Sequence, residues 1–215
     1  MENYKGGWFV LELNGVTIAW LGHDSMKIKG DGKVIYIDPW KLKDAEPADV
    51  VLITHEHYDH CSPADVKKVS KADTTIVATA DSAAKLKGDV MVVKPGDTVE
   101  IDSVKIEITP AYNTNKSFHP KSSRWIGFVV TIGGKSIYHA GDTDHISEMD
   151  NLKVDVALVP ISGTYVMTAE EAAEAVNRMK PKIAVPMHYG DIVGTKADAE
   201  RFKKLVLKGI EVRIL

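Results

Sequence analysis

The apolar residues of this chain fall into short runs rich in Val and Ile, bounded by glycine, proline and acidic turns. Runs of that length read as strands, and the wholly apolar ones as strands buried on both faces. Strands are expected over residues 16–21, 33–37, 50–53, 75–78, 90–93, 126–132, 135–139, 155–160, 182–186 and 211–215, with two more near 99–101 and 104–109. Residues 25–29 alternate more weakly. Helical spacing occupies 63–70, 82–86, 168–179 and 197–208. Ser62-Pro63-Ala64-Asp65 opens the first helix with a cap, a proline at its first position and an acid closing a capping box. Thr168-Ala169-Glu170-Glu171 repeats the device for the third.

One internal echo organises these elements. Gly32-Lys33-Val34-Ile35-Tyr36-Ile37-Asp38 resembles the stretch from Gly134 through Tyr138 to Asp142. Each is followed by a buried run that begins Asp-Val, at Asp49 and at Asp155. The echo suggests two similar half-domains, each a sheet with helices outside, packed sheet against sheet in four layers within one domain over 1–215.

The chemistry gathers where these strands end. Val50 to Ile53 run straight into Thr54-His55-Glu56-His57-Tyr58-Asp59-His60. An extended chain points His55 and His57 to one side, and the capped helix at Ser62 forces a turn at Asp59 and His60. Imidazole and carboxylate donors so placed suit zinc, manganese or iron and require no thiolate. Three further strand ends carry similar groups. Asp38 precedes Pro39, where it either starts a turn or, beside the metal strand, supports the ligands. Asp142 follows Gly141, and His188 follows Met187. The longest irregular stretch, 110–121, holds Asn113 and His119, and long loops in compact domains tend to be functional.

Composition narrows the setting. The 215 residues carry 44% apolar and 27% charged residues, as in an ordinary globular domain, and a net charge of −3 gives no reason to expect a nucleic-acid partner. Cys61 is the one cysteine, so no intramolecular disulfide forms; it reads as a small buried hydrophobe, with ligation the minor alternative. Met1 to Gly7 lacks the basic and apolar regions of a leader, and no apolar run reaches the length of a membrane span. A cytoplasmic protein with a small-molecule substrate is expected; self-association into a homo-oligomer stays open.

His55 through His60, Gly141-Asp142 and the late His188 resemble the metallo-β-lactamase superfamily. Trp20-Leu21-Gly22-His23, Ile37-Asp38-Pro39-Trp40, Pro110-Ala111-Tyr112-Asn113 and Phe118-His119-Pro120 are similar to its small single-domain hydrolases, related to L-ascorbate-6-phosphate lactonase and more distantly to N-acyl-phosphatidylethanolamine phospholipase D. The resemblance implies an α/β fold, the four-layer αβ/βα sandwich, with the site between the sheets. It assigns His55 and His57 to a first divalent ion, and Asp59, His60 and His188 to a second, with Asp142 bridging. Zn2+ is the first expectation and Mn2+ the alternative. Where the family carries a third histidine for the first ion, this chain has Asn113. Either His119 folds back to serve, or Asn113 and water complete a weaker position.

Such a centre makes hydroxide at neutral pH for attack on a small ester, lactone or phosphodiester. Asp59 and Asp38 are the catalytic candidates, with Asp59 orienting the nucleophile or shuttling its proton. His23, Asn113, His119 and Arg124 are substrate-binding candidates, Arg124 with the helix start at Thr168 for an anionic group. A small cyclic ester, with or without a phosphate group, or a phosphodiester is the preferred substrate. The alternative is a metal-binding or small-molecule-sensing module with little turnover, and Asn113 is the residue that favours it.

Overall fold

In the computed structural model, which describes residues 3–5 and 8–215, the expected strands assemble into two mixed sheets. The first sheet runs β1 (Asn3–Lys5), β2 (Trp8–Leu13), β3 (Val16–Gly22), β4 (Ser25–Gly30), β5 (Lys33–Ile37), β6 (Ala48–Ile53), β7 (Ser70–Ala78) and β8 (Asp89–Val92) in sequence order. Helices α1 (Pro63–Val69) and α2 (Ala80–Ala83) lie in its last connections. The second sheet holds β9 (Thr98–Ile101), β10 (Val104–Pro110), β11 (Ile126–Ile132), β12 (Lys135–His139), β13 (Val156–Pro160), β14 (Ile183–Met187) and β15 (Glu211–Val212). Helices α3 (Ala169–Met179) and α4 (Lys196–Leu205) connect its parallel strands. This is the αβ/βα sandwich of the metallo-β-lactamase fold. Met1, Glu2, Gly6 and Gly7, part of the stretch read above for a leader, lie outside the described residues.

The period-two alternation of strands decides the layers. On β6, Val50 and Leu52 join the core between the sheets, while Val51 and Ile53 face outward onto Val66 and Val69 of α1. Both sets are fully buried, and each such side chain contributes roughly 1.5–3 kcal/mol. Across the molecule Ala172, Ala173 and Val176 of α3 and Phe202 of α4 bury the other outer face.

The internal echo is structural. Parallel pairing aligns Tyr36 with Val51 in one half and Tyr138 with Ala157 in the other. In each half the acid that begins the second strand turns back onto the first: Asp49 Oδ2 accepts from Val34 N at 2.8 Å, Asp155 Oδ2 from Ser136 N at 3.0 Å. The hairpin tips that open the two repeats meet at the end away from the histidines, where Gly133 N donates to Asp31 Oδ2 at 2.9 Å. At the histidine end, Ile126 N donates to Thr54 O (3.2 Å) and His188 N to His23 O (3.1 Å), joining the sheets again.

Some local expectations change. The capping box at Thr168 forms. At α1 half of the box forms, Asp65 N donating to Ser62 Oγ at 3.3 Å, while the Asp65 carboxylate accepts from Ser62 Oγ at 2.9 Å, Lys41 N at 3.0 Å and Leu42 N at 3.2 Å in place of Ser62 N. Helix α4 stops at Leu205, not 208, since Asn177 of α3 bonds both Leu205 O and Leu207 N. Strand β15 keeps only Glu211–Val212 of the expected 211–215. Strand β2 escaped the apolar-run reading, although Asn14-Gly15, at φ 47° and 91°, is the two-residue hairpin signal that marks it. Among the described residues no helix is long and apolar enough to cross a membrane.

Two substitutions test this packing. A Cβ on Gly127 would stand 2.6 Å from His139 O and 2.7 Å from Ala140 O, both backbone, so Gly127→Ala should cost about 1–3 kcal/mol or more. Cys61 is buried in the outer cluster under α1 with its thiol pushed up to about 11 by burial. Cys61→Ala should cost only about 1 kcal/mol. Urea unfolding of both variants is the measurement.

Candidate metal centre

Every chemical residue singled out by its strand end arrives at one edge, because β5 and β6, and β12 to β14, are parallel and discharge their carboxyl ends together. His23 and Asp24 form the turn between β3 and β4; Asp38 follows β5; His55, His57, Asp59 and His60 follow β6; Asp142 follows β12; His188 follows β14. His23, Asp38 and His188 take left-handed φ of 50°, 46° and 59°. Such conformations cost on the order of 1 kcal/mol or more each and persist where surroundings over-determine them.

His55, His57 and His119 place one ring nitrogen each within 4.8 Å of one another, and so do donors of Asp24, His60, Asp142 and His188. The sequence left two answers for the third member of the first group. The fold brings in His119: loop 110–121 turns back, pairing Asn113 N with His119 O at 2.7 Å and His119 N with Asn113 Oδ1 at 2.8 Å. Asn113 is therefore the brace of His119, with its Nδ2 donating to Tyr165 O at 2.9 Å, and neither it nor any water need serve as the third donor.

The outer nitrogens of four imidazoles, those of His55, His60, His119 and His188, are occupied. Thr54 Oγ1 gives its proton to Asp38 Oδ2 (2.6 Å), so it accepts from His55 Nδ1 (2.9 Å). His60 Nδ1 donates to Asp38 Oδ2 at 2.8 Å. His119 Nδ1 faces Asn113 Oδ1 at 3.1 Å and Tyr165 O at 3.2 Å; His188 Nδ1 faces Ser162 Oγ at 2.9 Å. These four rings thereby turn Nε2 inward, the arrangement by which outer partners orient metal-binding histidines, whereas His57 faces His55 Nε2 with its Nδ1 at 3.0 Å. Around that inner space, His119 Nε2 and His188 Nε2 lie 3.1 and 3.2 Å from Asp142 Oδ2, and His60 Nε2 lies 3.5 Å from Asp142 Oδ1. Even so, His60 Nε2, His119 Nε2 and Asp142 Oδ1 are buried without a hydrogen-bond partner among the described residues. Trp125, anchored to Asp81 Oδ2 at 2.7 Å, walls off the triad with its ring 4.8 Å from His55 and 4.7 Å from His57.

Charge follows burial. Burial drives His55 well below the usual histidine range and lowers His57, leaving lone pairs free for a cation. For His60 and His188 burial also pulls down, but Asp142, Asp38 and Asp24 raise His60 strongly, and Asp142 and Asp24 bring His188 to about 8. Burial opposes ionisation of Asp142, yet His188 and His60 hold it far below the carboxylate range. The buried acids thus draw positive charge onto their neighbours, a demand that a divalent ion meets. Donor type, inward Nε2 atoms and orphaned acceptors together fit such an ion.

Other candidates move. Asp38 is completely buried, bonds Thr54 N (2.8 Å), Thr54 Oγ1 and His60, and does not line the cavity at His57 and His119, so it is placed to position its neighbours. Arg124 sits exposed beside Thr79, Asp81 and Lys94, in a cavity that contains none of the clustered histidines. The helix start at Thr168 is satisfied by its own Glu171. His23 is buried behind the cavity, its Nε2 3.2 Å from Asp59 Oδ2, so it steadies Asp59 without facing solvent. Asp59 itself lines the cavity and lies 3.9 Å from His60 Nε2. That cavity, about 230 Å³, is also lined by His57, His119, Asp142, His188, Tyr58, Phe118, Tyr165 and Ile192. A larger cleft of about 500 Å³ by α4 and β15 has none of these donors. Asp24, Ser162, Tyr165 and Trp125 escaped the sequence reading; of these only Asp24, next to His23 at a strand end, carried a signal there.

The sequence comparisons agree with the arrangement. The beta-lactamase superfamily domain matches residues 17–188. The chain is 37% identical to a UPF0173 metal-dependent hydrolase of Pyrococcus abyssi, across 93% of this chain and 96% of that one. It is also similar to the crystal structure of a Parabacteroides distasonis protein described as a metal-dependent hydrolase, with a TM-score of 0.86, 37% identity and coverage of 96% and 98%. Igni18, a metallo hydrolase of Ignicoccus hospitalis, matches at a TM-score of 0.73 and 26% identity over 93% of this chain and 94% of that one.

Asp38 and Asp59 should separate in stability. Asp38→Ala strands three buried donors and should cost about 3–5 kcal/mol. Asp59→Ala, at a half-open wall, should cost about 1 kcal/mol or less. Equal losses in chemical unfolding would contradict the division of roles.

Proposed function

Since the chain belongs to the beta-lactamase superfamily and, within it, to the UPF0173 metal-dependent hydrolase family, we propose that it is a hydrolase using one or two divalent ions on a small neutral ester or lactone. The inward-facing, outwardly braced Nε2 atoms around Asp142 are the observation that supports this most. His55, His57 and His119 would hold one ion and His60 and His188 the other, which Asp59, its Oδ2 3.9 Å from His60 Nε2, would join from the cavity wall; Asp142 lies between them. Borderline nitrogen and oxygen donors favour Zn2+, with Mn2+ as the alternative. When bound, such an ion would lower the pKa of water to about 7 and polarise the substrate oxygen.

The chain's own residues do the rest. Asp59 Oδ2, held by His23, stands at the cavity wall, where it orients an attacking water and receives its proton. Trp125 keeps bulk water from the histidine triad. Substrate is held by an aromatic rim: Phe118 stacks edge-on to Tyr165 at 4.7 Å, and Phe118 and Tyr58 are 47% and 69% exposed. Covering them with an apolar substituent is worth roughly 25 cal/mol per Å². No Lys or Arg is among the described residues that line the cavity, which disfavours the phosphorylated substrate or phosphodiester expected from the sequence. With His119 braced beside His55 and His57, Asn113 no longer favours a module without turnover.

Zn2+-loaded protein should hydrolyse neutral aryl esters or lactones with kcat/KM at least about ten-fold above phosphorylated analogues, a gap of about 1.4 kcal/mol. His57→Ala and His119→Ala should lose metal and activity while keeping the circular dichroism spectrum. Asn113→Ala should keep the metal with affinity weakened about 10–100-fold. Full metal content in His119→Ala, or preference for the phosphorylated compounds, would overturn the corresponding assignment.

A further inference from the structure

Asp24 is the one fully buried acid of the cluster to which no role has been given. Its exposure is 0%, and neither Oδ1 nor Oδ2 has a hydrogen-bond partner among the described residues. A carboxylate in that condition is among the costliest groups to bury. It is not there by slack in the chain. Asp24 closes a two-residue turn paired through Gly22 and Ser25, and its backbone oxygen accepts from His139 Nε2 at 2.9 Å. The same His139 accepts Gly141 N on Nδ1 at 3.2 Å, so one buried ring fixes the backbone on both sides of the site, next to Asp24 and next to Asp142. The fold therefore holds two acids together in a dry space, with donor atoms of Asp24, His60, Asp142 and His188 all within 4.8 Å of one another. Like charges so confined are relieved either by a proton held between them or by a cation.

We propose that Asp24 is an anionic ligand of the second ion, reaching it from the buried side while Asp59 approaches from the cavity wall. Two oxygens from Asp24 and Asp142 and two nitrogens from His60 and His188 then form a four-donor set that is complete without any exposed residue. The second position is thereby the structural anchor of the centre, tightly held and closed towards the core, and the first, built from three histidines by the cavity, is the more exchangeable of the two. Asp59 adds to this set from the cavity wall while its Oδ2 keeps the bond to His23.

This rests on the metal reading above, and the test separates the two. Wild type, Asp24→Asn and Asp24→Ala are loaded with Zn2+ or Co2+, dialysed against a competing chelator, and compared in metal content, thermal unfolding and the visible spectrum of the Co2+ form. Asn keeps the shape and removes the charge, so Asp24→Asn should fold at least as stably as wild type in chelator. It should hold one equivalent at least ten-fold more weakly, show a smaller metal-induced rise in Tm, and shift the Co2+ absorption of that equivalent. If Asp24→Ala fails to fold, Asp24→Asn decides alone. Two equivalents held as in wild type with an unchanged Co2+ spectrum would overturn the ligand role and leave the hydrolase reading standing. A wild-type protein that takes up no metal would overturn the hydrolase reading, and the ligand role with it.

Discussion

Burying carboxylates at one sheet edge is the constraint on which the rest of this molecule depends. Asp24, Asp38 and Asp142 are at most 4% exposed, in surroundings where an unpaired charge is costly. Asp38 is satisfied by Thr54 and His60, and Asp142 is surrounded by imidazoles of His60, His119 and His188. The acids fix where the histidines must stand, and the outer partners Asn113, Ser162 and Thr54 fix which nitrogen each presents. The site is a balance of charges first and a cavity second, which is why a cleft of twice the volume elsewhere has no comparable chemistry.

The scaffold delivers these groups by repetition. Each half carries a hairpin, a parallel pair of strands and an acid that clamps the second strand to the first, Asp49 on Val34 and Asp155 on Ser136. Because parallel strands all end on the same side, two copies facing each other bring their loops to one edge. The bond of Gly133 to Asp31 at one end, and of His188 to His23 at the other, ties the halves at both extremes. Strain accepted at His23, Asp38 and His188 is affordable only because packing on either side is dense.

The sequence by itself determined most of the strands, the cap at Thr168, the four-layer arrangement and most of the metal-binding candidates. These follow from local rules: alternation assigns a face, capping residues stop and start helices, and the spacing of His55 and His57 is a property of extended chain. Which of Asn113 and His119 stands beside them was decided by tertiary structure, since the loop's path depends on Tyr165, more than forty residues away and bonded to both. Asp38 changed from a catalytic candidate to a brace for the same reason: burial is a relation between elements, invisible in the run Ile37-Asp38-Pro39. Arg124 and the start of α3 looked suited to an anion locally, but the fold faces Arg124 elsewhere and spends Thr168 on Glu171. Asp24 is the clearest case. In the chain its place beside His23 at a strand end is its one signal; only the convergence of β3, β6, β12 and β14 leaves it buried, without a hydrogen-bond partner among the described residues, and near the other donors.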